Sequence, residues 1–364
     1  MESMVNPSPK FWRGRRVLLT GHTGFKGAWL MHWLRLLGAE VTGLALAPAT
    51  KPNLAVMSGL VDPAISSLGD IRDGAAVEAE IERYRPEIVL HLAAQALVRR
   101  SYRDPLESFA TNVMGTLNVL AAASRCVTTR AVLVVTTDKC YENREWLWAY
   151  RENEPLGGRD PYSASKACAE IATAAWRSSL PDMTQYGRAA PLAIASARAG
   201  NVFGGGDWAE DRLVPDFFRT VAQGGTLAIR NPAAQRPWQH VLEPLVGYLL
   251  LAERLFDGEA QEAWNFGPDP VDVIPVGDLV ARLTALVPGS TWECTGDGSQ
   301  PHEAGLLALD SAKARTQLGW RPRLPIDAAL EWTVQWYQRA AVGADPEALV
   351  HDQIVQYTAL GVDR

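Results

Sequence analysis

With 364 residues, 47% of them hydrophobic and 21% charged, the chain has an ordinary globular composition and is long enough for one large α/β unit with a smaller appended lobe. Its net charge of −6 provides no broad basic field for a nucleic-acid backbone, so any phosphate must be gripped locally. Cys126, Cys140, Cys168 and Cys294 lack a CxxC pair or nearby His spacing, which argues against a disulfide framework or a metal site, and no apolar run reaches the roughly 20 residues of a membrane span. A cytoplasmic protein with reduced thiols is expected, with neither nucleic acid nor membrane as partner and no metal.

Residues 1–10 read as a loose, proline-bearing tail. Short apolar or β-branched runs follow at 17–20, 41–46, 88–92, 131–136 and 192–197, separated by helical stretches. Residues 27–37 place Leu30, Leu34 and Leu37 at helical spacing, and 113–123 do the same with Leu117 and Leu120. Alternation of this kind predicts a Rossmann-type, doubly wound parallel sheet covered on both faces. After about residue 200 glycines and prolines interrupt shorter elements, the texture of a loop-built substrate lobe. A periodic segment over 242–256 looks like a helix returning to the main sheet. The expected division is 11–198 plus 236–262 for the dinucleotide domain and 199–235 plus 263–358 for the smaller α/β lobe.

Directly after the first run comes Gly21-His22-Thr23-Gly24-Phe25-Lys26-Gly27. Glycines three apart at a strand-to-helix turn permit a tight bend and close backbone approach to a pyrophosphate, and the helix N-terminus adds amide donors and positive potential. The GxxGxxG spacing is that of short-chain dehydrogenases. The acidic residue that usually ends the second strand is missing, Leu46 being followed by Ala47 and Pro48, and no Arg suited to a 2′-phosphate replaces it. NAD is therefore expected rather than NADP. Asp70, in Gly69-Asp70-Ile71, reads equally well as a cofactor contact or as a loop Asp capping the helix that begins near Asp73.

Tyr162 and Lys166 lie four apart at the start of an Ala-rich helical stretch and so share one face. An ammonium beside the phenol would lower its pKa and make it an acid/base at a carbinol. The pair follows the run ending Thr136-Thr137-Asp138-Lys139, and ligands in open α/β sheets bind beyond the strands' carboxyl ends, so these groups should share one crevice. Thr137, Tyr162 and Lys166 suffice to oxidise an alcohol. Asp138 and Lys139 are surplus to that step, which points to further chemistry such as elimination.

The stretches TGHTGFKGAWL, AAQALVRRSY, TTDKCYENREW, GGRDPYSASK, RAGNVFGGGDWAEDRLVPD and NPAAQRPWQHVLEPL together resemble the nucleotide-sugar dehydratases of the extended short-chain dehydrogenase/reductase type, in particular the CDP-glucose 4,6-dehydratases. The resemblance runs from about Phe11 to Trp336, and its most specific part is TTDKCYEN, because the dTDP-glucose enzymes carry Asp-Glu where this chain has Asp138-Lys139. It implies that NAD oxidises carbon 4 of CDP-D-glucose, that water leaves across carbons 5 and 6, and that hydride returns to carbon 6, giving CDP-4-keto-6-deoxy-D-glucose. Tyr162 would take the carbon 4 hydroxyl proton, Asp138 would be the acid for the departing hydroxyl, and Lys139 the base or enolate stabiliser at carbon 5.

The resemblance also implies cofactor contacts from Gly21, Thr23, Gly24, Phe25, Lys26, Gly27, Asp70, Ile71, Leu92, Ala93, Ala94, Asn112, Thr136, Tyr162 and Lys166. Substrate contacts would come from Gln95, Asn201, Arg212, Arg230, Arg236 and His302. A homodimer joined through two helices per subunit is expected as well, which suits the small residues on several faces of 163–175. An epimerase or reductase on the same fold, or an NAD-sensing protein without catalysis, are the alternatives.

Overall fold

The computed structural model describes residues 5–179, 191–296 and 305–360. In chain order the strands are β1 (Arg16–Thr20), β2 (Glu40–Ala45), β3 (Ser66–Leu68), β4 (Ile88–His91), β5 (Ala131–Val135), β6 (Ala193–Ala199), β7 (Asn201–Phe203), β8 (Thr226–Ile229), β9 (Gln235–His240), β10 (Ala263–Phe266), β11 (Val273–Pro275) and β12 (Thr291–Cys294). Seven form one parallel sheet in the order β10-β6-β5-β4-β1-β2-β3. Successive side chains alternate between its faces: Val17, Leu19, Ile88 and Leu90 enter one core cluster, while Leu18 and Val89 enter another. Burial on both sides is why these strands read as unbroken apolar runs. Strand order reverses between β1 and β4, and the crevice beyond their carboxyl ends is where a doubly wound sheet binds its ligand.

The expected helices at 27–37 and 242–256 form as Phe25–Leu36 and Leu242–Phe256. The expected helix at 113–123 is instead composite, a π-helical turn Ala110–Met114 running into Gly115–Arg125. That extra backbone residue per turn re-aims Asn112 into the interior.

Four expectations of organisation change. Residues 5–10 are docked, not loose: Arg323 Nη2 donates to Val5 O at 2.8 Å, and Ser8 N to Glu253 Oε1 at 2.7 Å. The boundary at 262 falls too early, because β10 pairs with β6 and so belongs to the main sheet. In turn β9, whose residues 236–240 were expected in the dinucleotide domain, joins β7 and β11 in a separate three-stranded sheet. Finally, the C-terminal helix Pro346–Ala359 lies not in the outer lobe but against the helix Phe25–Leu36, with Trp33 edge-on to Tyr357 at 5.8 Å. The C-terminal helix covers Trp33 and His32, while Trp29 is buried against Gly205 and His240, so the stripe read from Leu30 and Leu34 is only part of a helix covered nearly all round.

Candidate active site

The glycine turn is built for close approach. Gly21 has φ +81°, and a Cβ on Gly27 would lie 2.1 Å from Gly21 O, so the helix Phe25–Leu36 begins directly on the turn with Gly24 as its N-cap. Thr23 Oγ1 donates to Leu46 O at 2.9 Å and ties the turn to the end of β2. Thr20 Oγ1 lies 2.7 Å from His91 Nδ1 and accepts from Ala93 N at 3.1 Å, which sets the loop of Leu92, Ala93 and Ala94 opposite the turn. Burial pushes His91 down to about 3, so its imidazole is neutral. Glycines without room for a side chain, an open helix N-terminus and a neutral floor fit a dinucleotide pyrophosphate.

At the rim Leu46 is exposed, and no acidic group stands at the end of β2. Asp70 is half-buried and pairs with Arg72, whose hydrogen bond holds the carboxyl below its ordinary range. The cap of the helix Gly74–Tyr84 is Asp73 itself, not Asp70. Ile71 is a core residue against Gly115, and its carbonyl accepts from Asn118 Nδ2 at 2.9 Å. Phe25 is half-buried near Gly204.

Asn112 Oδ1 accepts from Gln95 N at 2.9 Å, and its Nδ2 donates to Ser165 Oγ at 2.8 Å, joining the β4 loop to the helix Pro161–Ser179. Gln95 uses its own amide within that loop, donating to Ser108 Oγ at 2.9 Å and Leu97 O at 3.1 Å while accepting from Leu97 N at 2.7 Å. Both residues shape the loop that borders the crevice.

The structure brings Thr137, Asp138, Tyr162 and Lys166 together beyond β5, all of them buried, with Lys139 half-buried beside them. Thr137 Oγ1 donates to Asp138 Oδ1 at 2.9 Å, while Asp138 Oδ2 is buried with no hydrogen-bond partner. Burial raises the Asp138 carboxyl above its ordinary value against the opposing pull of Lys139, Thr137 and Arg236.

Tyr162 differs from expectation. Burial pushes the phenol up to about 12, offset in part by the Thr137 hydroxyl and the Arg212 charge. Lys166 instead turns its ammonium to Val135 O at 3.2 Å, at the carboxyl end of β5, and burial lowers it to about 8. Spacing of four places the two on one helix face, but the direction of the lysine's hydrogen bond is a matter of packing.

Lys26 reaches past the turn to donate to Tyr248 OH at 3.1 Å; burial, then Arg212 and Lys166, pull its pKa down to about 7. The Asp138 charge opposes that fall, so the Lys26 side chain also senses the groups beyond β5. Arg212 pairs with the buried Asp207 at 3.0 Å and weighs on Tyr162; Arg236, in β9, weighs on Asp138. Asn201 opens β7, paired across from Trp238 of β9. Arg230 follows β8 in the outlying two-stranded sheet, and His302 lies outside the described residues.

One participant was missed from sequence. Glu170, one turn past Lys166, accepts from Ser196 Oγ and Arg198 Nη2, each at 2.7 Å, and from Thr136 Oγ1. Burial pushes this carboxyl up, yet Arg198 and these bonds hold it below its ordinary value. Arg198 Nη1 continues the network to Tyr141 OH at 2.7 Å, which donates to Asn265 Oδ1 at 2.8 Å. Thr136 thus points into this support and away from the crevice. A glutamate at i+4 on the Tyr–Lys face was the available signal.

Fold and site together define an NAD-dependent enzyme of the extended short-chain dehydrogenase/reductase class. The model of the NAD dependent epimerase/dehydratase family matches residues 17–267, and the chain belongs to that family. It is 48% identical over 338 residues to the CDP-glucose 4,6-dehydratase of Salmonella typhimurium, covering 92% of this chain and 94% of that protein. It is 30% identical to the dTDP-glucose 4,6-dehydratase of Xanthomonas campestris pv. campestris, over 88% of this chain and 92% of that protein. Among solved structures, the dTDP-glucose 4,6-dehydratase of Streptomyces venezuelae with NAD and TYD bound has a TM-score of 0.75 at 26% identity, covering 91% of this chain and 99% of that one.

Proposed function

We propose that the chain dehydrates CDP-D-glucose to CDP-4-keto-6-deoxy-D-glucose. The observation that carries this reading is Asp138: a buried carboxyl with a raised pKa and one unpartnered oxygen, beside the groups that handle a carbinol proton and surplus to a simple oxidation. Bound NAD supplies the hydride acceptor for carbon 4 and the donor for carbon 6. Thr137 and Tyr162 hold the carbon 4 oxygen; Tyr162 must ionise before it takes that proton, and Lys166 is the cation placed to favour this once it leaves Val135 O. Asp138, whose carboxyl burial raises above its ordinary range, gives a proton to the carbon 6 hydroxyl as water departs. Lys139 removes the carbon 5 proton or steadies the enolate. Arg212 and Arg236, whose charges act on Tyr162 and Asp138, and Asn201 at the start of β7 are the substrate contacts in this reading, and the planar forks of the arginines suit a diphosphate.

The nucleotide is assigned from likeness to the Salmonella enzyme and from Asp138-Lys139 in place of Asp-Glu. The same reading makes the protein a homodimer through the helices Pro161–Ser179 and Gly115–Arg125 with the turn before the latter, a region that leaves Met114 and Ile171 more than half exposed. A cytoplasmic location suits four free thiols. No described helix is long and apolar enough to cross a membrane. The decisive assay incubates the purified protein with NAD and CDP-, dTDP-, UDP- or GDP-glucose and follows mass: loss of one water from CDP-glucose alone is expected, whereas an altered sugar of unchanged mass would make the protein an epimerase.

A further inference from the structure

Away from the crevice, where the helix Pro346–Ala359 covers the helix Phe25–Leu36, His32 is fully buried at 0% exposure. Its Nε2 lies 2.8 Å from Ser58 Oγ, and that hydroxyl donates to Leu54 O at 2.7 Å. A hydroxyl whose proton is already committed to a carbonyl can only accept from the ring, so Nε2 carries the hydrogen and Nδ1 keeps a lone pair. Nδ1 is buried with no hydrogen-bond partner and faces Glu347 Oε1 at 3.9 Å. His351, one turn beyond Glu347 on the same helix face, has Nε2 3.8 Å from that oxygen, and its ring centroid is 5.2 Å from that of His32. One ligand atom from each of the three residues lies within 4.8 Å of the others.

An ion pair does not account for this arrangement. With the ring hydrogen on Nε2 and Nδ1 3.9 Å from Glu347 Oε1, beyond hydrogen-bond reach, no hydrogen bond joins His32 to the carboxylate. A lone pair turned toward a carboxylate oxygen across a gap is repulsive unless a cation sits between them. Two imidazoles and one carboxylate are the donor set of a borderline divalent transition metal, and Ser58 behind His32 is the outer partner that fixes a ligating ring.

We propose that His32, Glu347 and His351 form a zinc-class metal site, separate from the reaction centre, that clamps the C-terminal helix onto the helix bearing the phosphate cradle. Tetrahedral bonds to zinc near 2.1 Å put neighbouring ligand atoms roughly 3.3 Å apart. Glu347 and His351, with side chains 43% and 33% exposed, can close onto the fixed His32, and their open side admits a water as fourth ligand.

The test strips full-length, NAD-loaded protein with a chelator and titrates it with zinc and, in parallel, magnesium, reading metal per chain and thermal midpoint; cobalt serves as a spectroscopic probe. One zinc per chain, a raised midpoint, a tetrahedral cobalt spectrum and no magnesium uptake are expected. His351→Ala and Glu347→Ala, both at the surface, should each weaken zinc at least about tenfold and abolish the cobalt spectrum while leaving NAD binding intact. Zinc that does not bind, or that binds both variants as tightly as the parent, would overturn the site.

Discussion

Glu170 and Asp138 are both carboxylates buried to 2% exposure around the carboxyl end of β5, yet their surroundings differ. Glu170 has both oxygens occupied, by Thr136 on one and by Ser196 and Arg198 on the other, and sits below its ordinary pKa. Asp138 has one oxygen paired to Thr137, the other bare, and sits above it. Full pairing makes a buried carboxylate part of the support. Incomplete pairing leaves the burial of the other uncompensated, the setting that the proposed acid role needs.

The largest effect expected from breaking this contrast is on turnover. Asp138→Asn should lower product formation by about 10²–10⁴-fold, with NADH accumulating on the enzyme and the thermal midpoint unchanged or raised, since the bare buried carboxyl is gone. A melting curve and a mass assay on the same preparation read both halves. Normal product formation would end the acid role.

On the support side the penalty should fall on stability. Arg198→Met leaves Glu170 buried without its cation and is expected to cost about 3–5 kcal/mol in urea unfolding, and adding Glu170→Leu should restore most of it. If the second change deepens the loss, the pair is more than a satisfied ion pair.

Gly27→Ala tests the cofactor turn, where the new methyl would meet Gly21 O at 2.1 Å. Overpacking of this kind costs about 1–3 kcal/mol, and because the displaced backbone is the phosphate cradle, NAD affinity by titration should drop with it.

A fourth effect shows only as a pH dependence and concerns Lys26, lowered from 10.5 to about 7. Between those values the unfolded chain binds the extra proton, so this residue makes unfolding free energy rise with pH across that window and costs stability below it. Lys26→Met should flatten that rise in denaturant titrations from pH 7 to 10. An unchanged profile would mean that the ammonium stays hydrated.

Much of this was legible in the chain. The parallel core strands, the glycine turn and the Tyr162–Lys166 face all depend on periods of two or four residues and on glycine's lack of a side chain. Asp138 stood out because its position after a strand implies the crevice. Other features were not readable. Lys166 was expected to lower the Tyr162 pKa, but Val135 O takes its ammonium and burial raises the phenol. Gln95 was expected at the sugar, and the local bonds of its amide to Leu97 and Ser108 were not readable from the sequence. Residues 5–10 were read as loose because their anchors, Glu253 and Arg323, lie far along the chain.

The chain alone was enough for five core strands, the helices beginning at Phe25 and Leu242, the place of the dinucleotide turn and the side chains chemically able to act, because those properties reside in a few consecutive residues. Only the tertiary structure decided which carboxylate is satisfied and which is bare, which way Lys166 points, and that His32 meets Glu347 and His351 from the other end of the chain. Those outcomes follow from burial and from the competition among distant groups for a limited number of lone pairs and protons.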